Sequence, residues 1–167
     1  MANKIVPFEE ACAVVHRAKT DGRKVAFTSG SFDILHVGHV VFLEDCRRGA
    51  DLLIVGLDDN DTVRKAKGEE RPFFDETERA KVMSALEIVT LVFVFRGPCS
   101  ASILAWLAPD EYCFSKFDPK AEAKTTDAQQ AGVSPKPIDD DLKFSSTTRV
   151  SRLIRFNYFL ESWGKHP

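Results

Sequence analysis

Apolar positions along the chain switch repeatedly between helical and strand spacing. From about Phe8 to Lys19, Ala11, Val14, Val15 and Ala18 fall three and four apart, and Asp21-Gly22 closes the run, which predicts an amphipathic helix. Lys24-Val25-Ala26-Phe27-Thr28 is short and β-prone and ends on Ser29-Gly30, the pattern of a strand entering a turn. A second helix is predicted from near Val37 to Arg48, stopped by Gly49. Asp51 then opens the apolar run Leu52 to Leu57, which suits a strand covered on both faces. A helix from about Glu76 to Leu86, a strand over Leu91–Phe95, a short helix over Ser100–Leu107 and a strand over Glu111–Phe114 follow. A last helix is expected from near Ser146, with Val150, Leu153, Ile154 and Tyr158 inward. Residues 116–143, rich in Lys, Asp, Ala and Pro, lack such a pattern and are expected to form a mobile loop or an insertion.

Strands alternating with helices predict an α/β fold: a Rossmann-like parallel sheet with right-handed crossovers and helices on both faces. At 167 residues the chain is expected to be a single domain, 1–167, and it has no internal repeat. Ligands of such sheets bind beyond the carboxyl ends of the strands. The 23 basic and 25 acidic side chains nearly cancel, which argues against an extended nucleic-acid binder. No apolar run approaches the ~18 residues of a membrane span. The opening MANKIVPFEEACAVVHRAK lacks a signal-peptide core, so a cytoplasmic protein is expected. Cys12, Cys46, Cys99 and Cys113 form no CxxC pair and read as reduced thiols rather than a zinc site or a disulfide framework.

The densest chemistry is Thr28-Ser29-Gly30-Ser31-Phe32-Asp33-Ile34-Leu35-His36-Val37-Gly38-His39, between the first strand and the second helix. Two histidines three apart at a helix start share a face, where unpaired amides and the positive helix end favour anions. Gly30 and Gly38 allow a bulky ligand to come close. The block therefore reads as a polyphosphate cradle; the alternative is two histidines satisfied within the structure. Asp33 and Asp58 stand near the expected phosphates. Each could approach magnesium through water, or Asp33 could brace the turn and Asp58 cap the next segment. Asp139-Asp140-Asp141 could bind metal or form a solvated charged loop.

The block from Phe27 to His39 resembles the HxGH nucleotidyltransferase, or cytidylyltransferase-like, superfamily. With Asp51 to Gly56, Val63-Arg64-Lys65-Ala66-Lys67-Gly68, Arg71-Pro72, Glu78-Arg79-Ala80 and Ala85-Leu86-Glu87, it is most similar to one group within it. That group is the adenylyltransferase domain of the bacterial bifunctional heptose kinase/adenylyltransferases, and the likeness runs from Lys4 to Phe114. Glycerol-3-phosphate cytidylyltransferases are a more distant match.

The resemblance implies transfer of a nucleoside monophosphate from a triphosphate, carried with magnesium, to a small phosphorylated acceptor, with release of pyrophosphate. It implies catalytic roles for His36, His39 and Lys67. Nucleotide contacts are implied for Thr28, Ser29, Gly30, Ser31, Phe32, Gly38, Arg79, Lys116, Ser146, Thr147 and Thr148. Acceptor contacts are implied for Asp33 and Lys65, with no metal held by protein ligands alone. Read as bare residues, Lys65 and Lys67 could be solvated loop charges and Arg79 could pair with Asp75 or Glu76. Ser146-Thr147-Thr148 could simply cap a helix, with Ser145-Ser146-Thr147 as an alternative register. ATP with a sugar 1-phosphate is the expected pair. The alternatives are CTP with glycerol 3-phosphate or another small phosphate or phosphonate, adenylylation of a precursor such as flavin mononucleotide, and a nucleotide-binding regulator without catalysis. Relatives are often dimers, so a homodimer is one assembly the resemblance implies.

The chain departs from the heptose enzymes at Ser29, where they carry asparagine, and at Ser31, where they carry cysteine. Phe114-Ser115-Lys116-Phe117-Asp118 keeps the lysine of their VKGGD-like segment without its two glycines. No kinase half occurs in these 167 residues, so a separate enzyme is expected to supply the acceptor.

Overall fold

The apolar runs pair into one parallel sheet in a computed structural model that describes residues 3–140. The chain passes through α1 (Phe8–Thr20), β1 (Val25–Gly30), α2 (Val37–Arg47) and β2 (Leu52–Asp58). It continues through α3 (Asn60–Lys67), α4 (Glu76–Ser84), β3 (Leu91–Phe95) and α5 (Ala101–Leu107), and then β4 (Glu111–Ser115), α6 (Ala121–Gln130) and β5 (Ser134–Ile138). The strand order is β3-β2-β1-β4-β5, all pairs parallel, so the expected Rossmann-like architecture is observed.

Alternation along each strand splits the core in two. Phe27, Ile54, Phe93, Tyr112 and Phe114 face the side that packs with α1, α5 and α6. Ala26, Leu53, Val55, Val92 and Cys113 face the side covered by α2 and α4. The aromatic rings gather on one face, where Phe27 stacks against both Phe93 (5.8 Å) and Tyr112 (5.5 Å). Each such buried ring contributes roughly 1.5–3 kcal/mol. Gly56 lies beneath this cluster, and a Cβ there would stand 3.0 Å from the rings of both Phe27 and Phe95.

Two expectations are corrected. The stretch after Lys116 is not loop throughout: Ala121–Gln130 is helical and Ser134–Ile138 extends the sheet at the β4 edge. Pro135 and Pro137 are tolerated because, among the described residues, β5 pairs on one side only, and their missing N–H groups leave the ladder to β4 intact. Likewise Lys65 and Lys67 lie on α3 rather than in a loop. Asp59 caps that helix by accepting from the Thr62 amide at 2.9 Å. Among the described residues no helix is long and apolar enough to cross a membrane. The expected last helix from near Ser146, with Ser146-Thr147-Thr148, falls outside the described residues.

Sequential strands run outward from β1 through β2 to β3, after which the chain returns to the other side of β1 to form β4 and β5. Strand order therefore reverses between β1 and β4, and the carboxyl ends there open the crevice where such sheets bind ligands.

Candidate active site

The chain leaves β1 at Gly30 and enters α2 at Val37. A Cβ at Gly30 would sit 3.3 Å from the Phe32 ring, and Phe32 itself takes the left-handed φ of 41° that the tight turn demands. Thr28, Ser29 and Ser31 are buried, and Ser29 Oγ shares a 2.7 Å hydrogen bond with the Tyr112 hydroxyl of β4. His36 occupies the N-cap position of α2 in extended conformation, and its side chain does not cap the helix. His39 follows one turn later. The two rings stack at 3.8 Å and 21°, with Phe32 tilted against His39 at 5.3 Å.

Burial pushes the His39 pKa down to about 3, with the His36 and Lys67 charges adding to the effect. Burial lowers His36 as well. Both imidazoles are therefore neutral near pH 7, each with one N–H to donate. The first turn of α2 carries no acidic side chain. An anion arriving there meets two imidazole donors and the positive end of a helix together.

Lys67 ends α3 and donates to Ser31 Oγ, which brings its ammonium to the β1–α2 turn. Burial lowers the Lys67 pKa, Arg71 adds to that, and Asp58 and Asp33 oppose it. Arg71 lines the same wall, held by an ion pair to Asp33 (2.7 Å) and by its guanidinium 4.6 Å over the Phe73 ring. The wall opposite is made by Pro98, Cys99 and Ser100 ahead of α5, by Phe114 and Ser115 of β4, and by Lys120, Lys124 and Asp127 near or on α6. Together these walls enclose an open cleft of about 1020 Å³. That is near the upper end for small-molecule sites, room for a nucleotide and a small second ligand.

Of the residues expected at the site, Ser29, Gly30, Ser31, Phe32, His36, Gly38, His39 and Lys67 line this cleft. Five others lie elsewhere. Arg79 is 2% exposed; Nη1 donates to the Ser31 carbonyl (2.7 Å), Nε to the Phe74 carbonyl (3.0 Å) and Nη2 to Asn60 Oδ1 (3.0 Å). It pairs with neither Asp75, which caps α4, nor Glu76, which accepts from the Asn60 amide. Its guanidinium therefore fastens the β1–α2 turn from behind instead of reaching into the cleft. Asp33 is buried and accepts from the Phe73 and Phe74 amides, so it braces the turn, as one reading of the sequence had it. Lys65 is exposed on α3 and off the cleft. Lys116 turns to Asp139 at 2.5 Å and lies over the Phe117 ring. Thr28 is fully buried in β1, beneath the turn.

Sequence reasoning missed Arg71 as a cleft residue, and it missed Lys120 and Lys124. The available signal was their spacing of four, one helical turn, in a stretch too polar to look helical. Among the described residues no group of three or more His, Cys, Asp or Glu is arranged to hold a metal.

The chain is 43% identical over 108 residues to the Bifunctional protein HldE of Rhodospirillum rubrum, a match covering 65% of this chain and 22% of the relative. The corresponding protein of Citrifermentans bemidjiense is 40% identical over 108 residues with the same coverage. The chain thus spans about a fifth of the length of these relatives. The resemblance to the adenylyltransferase region of the bifunctional enzymes is borne out at this level of identity. Among solved structures, the lipopolysaccharide core biosynthesis protein of Thermoplasma volcanium superposes with a TM-score of 0.61 at 25% identity, covering 70% of this chain and 94% of that one. Pantothenate synthetase of Thermus thermophilus shares the fold alone, with a TM-score of 0.59 at 13% identity over 90% of this chain and 70% of that one. The β1–α2 turn, both histidines, Lys67 and Lys124 all lie within residues 27–125, which match the cytidylyltransferase-like family, and the chain belongs to that family.

Proposed function

We propose that the cleft transfers a nucleoside monophosphate from a triphosphate to a small phosphorylated sugar, with ATP and a sugar 1-phosphate as the substrates and pyrophosphate as the second product. The observation that carries this reading is the stacked, neutral His36–His39 pair at the start of α2, facing an open cleft that Lys67 and Arg71 also line. Similarity to the bifunctional HldE proteins supports the choice of a sugar phosphate.

A phosphate oxygen of the acceptor attacks the α-phosphorus, and the bond from that phosphorus to the oxygen bridging to the β-phosphate breaks. Negative charge moves outward onto the departing pyrophosphate. Such a transfer needs positioning and charge neutralisation more than covalent help. The imidazole N–H groups donate to the α-phosphate and to the leaving group as that charge grows. Lys67, fixed by Ser31, balances charge on the attacking side, and Arg71 lies beside it. Magnesium suits this cleft as an ion carried by the triphosphate, since such ions keep most of their waters and take few protein ligands. Bound there, it would neutralise the phosphate oxygens.

The test is pyrophosphate release with ATP and with CTP against a panel of phosphorylated sugars, alcohols and flavin mononucleotide. Turnover with ATP and a sugar 1-phosphate is expected. Turnover confined to CTP and glycerol 3-phosphate moves the substrates to the cytidylyl side. Nucleotide binding without turnover across the panel overturns the transfer reading in favour of a regulator.

A further inference from the structure

Asp58 is the last residue of β2 and lines the cleft. It pairs in register with Phe95 and stands one residue beyond the Leu57–Gly30 pair, level with Ser31. The capping role suggested by its place in the sequence belongs to its neighbour Asp59. Among the described residues no hydrogen bond or ion pair reaches the Asp58 carboxylate. Burial raises its pKa although Lys124, Lys67, Arg79 and Lys120 all pull it down. Of the other cleft carboxylates, Asp118 pairs with Lys124 at 2.7 Å and Asp140 accepts from Ser115 Oγ at 2.5 Å. The Asp127 carboxylate of α6, like that of Asp58, has no hydrogen bond or ion pair among the described residues. Half-buried at the wall of an open cleft and without a protein donor, the Asp58 carboxylate leaves its lone pairs to water or to a ligand that displaces water.

Two ligand chemistries could meet them, a dication or a hydroxyl. The four cations around Asp58 make a positive field that opposes a further positive charge. A hydroxyl brings a donor without net charge, and the same lysines attract the phosphate that accompanies it on a sugar phosphate. We infer that Asp58 is a specificity-determining residue that accepts a hydrogen bond from a sugar hydroxyl, in the first instance one on the ring of the acceptor. The ribose of the nucleotide offers the same chemistry and is the second source. This inference rests on the transfer reading above.

The experiment compares Asp58→Ala and Asp58→Asn with the unaltered chain, using a sugar 1-phosphate, its mono-deoxy analogues and deoxynucleotides. Asp58→Ala is expected to raise the KM of the acceptor about tenfold or more, the loss of one hydrogen bond to a charged group, with kcat changed far less. Asp58→Asn retains one acceptor oxygen and lies between the two. One mono-deoxy analogue should abolish the difference between Asp58→Ala and the unaltered chain. If the effect instead falls on the KM of the nucleotide and disappears with a deoxynucleotide, the hydroxyl is that of ribose and the inference stands. A loss equal for every analogue, or one recovered by raising magnesium, overturns it.

Thermal melts separate folding from recognition. Removing an unpartnered carboxylate should leave Tm unchanged or raise it, and a fall would make Asp58 structural. If the unaltered chain turns over no substrate pair, the transfer reading fails by itself. Equilibrium binding of sugar phosphates and nucleotides then decides: a Kd raised about tenfold in Asp58→Ala supports the contact, and an equal Kd refutes it.

Discussion

Replacing Arg79 by alanine tests the assignment of that side chain to the interior. The guanidinium donates to the Ser31 and Phe74 carbonyls and to Asn60 Oδ1 at 2.7–3.0 Å, with the residue 2% exposed. Truncation leaves three acceptors without their donor. A hydrogen bond to a charged group is worth about 1.5–3 kcal/mol, but the three losses do not add in full, because water can enter the space vacated. A net cost of about 3–5 kcal/mol is expected, a large fraction of the roughly 5–15 kcal/mol that holds a domain folded. With a urea m-value of about 2 kcal/mol/M, the unfolding midpoint should fall by roughly 2 M. Arg79→Lys keeps the charge and a single donor group in place of the fork, and should recover only about a third of the loss. Nucleotide affinity of the folded fraction should change much less than stability. An unchanged midpoint together with lost nucleotide affinity would refute this reasoning and return Arg79 to the triphosphate.

Further expectations follow from the same geometry. His39 binds a proton near pH 6.5 when unfolded and near 3 when folded, so between these values the unfolded chain holds more protons. Stability should therefore fall as pH drops from 6.5 toward 3, by up to about 1.4 kcal/mol per pH unit from this group. Urea titrations of His39→Gln should show a shallower fall, and parallel curves would contradict the burial of the ring. His39→Ala should lower turnover by about 10²-fold or more while changing nucleotide affinity far less, measured by pyrophosphate release and by calorimetry; equal turnover would remove the ring from the mechanism. Gly56→Ala places a Cβ 3.0 Å from the rings of Phe27 and Phe95 and should cost about 1–3 kcal/mol by overpacking; a melting temperature unchanged from that of the unaltered chain would show that the rings move aside freely.

Legibility followed burial. The runs at Val25–Thr28, Leu52–Leu57, Leu91–Phe95 and Glu111–Phe114 announce strands because each is covered on both faces, so nearly every side chain must be apolar. Helix α3 buries only Val63 and α6 only Ala128, which leaves too few apolar positions to show a period. Strand β5 carries two prolines that argue against a strand until its place at the sheet edge is known. Within the site, the two histidines could be read because both stand at one strand-to-helix turn. His36 is the extended N-cap of α2 and only His39 lies on the helix, so their stacking depends on the turn itself.

By itself, then, the sequence determined the alternating elements, the parallel sheet, and a pair of imidazoles where β1 meets α2. Only the tertiary structure decided which charges lie beside that pair. Arg79 meets Ser31 across 48 residues and is drawn inside, Lys116 turns to Asp139, and Lys124 and Asp58 arrive at the cleft from α6 and from the end of β2. Local spacing fixes where a side chain points on its own helix or strand. Whether it then meets water, a carbonyl or a ligand depends on segments that only the folded chain brings together.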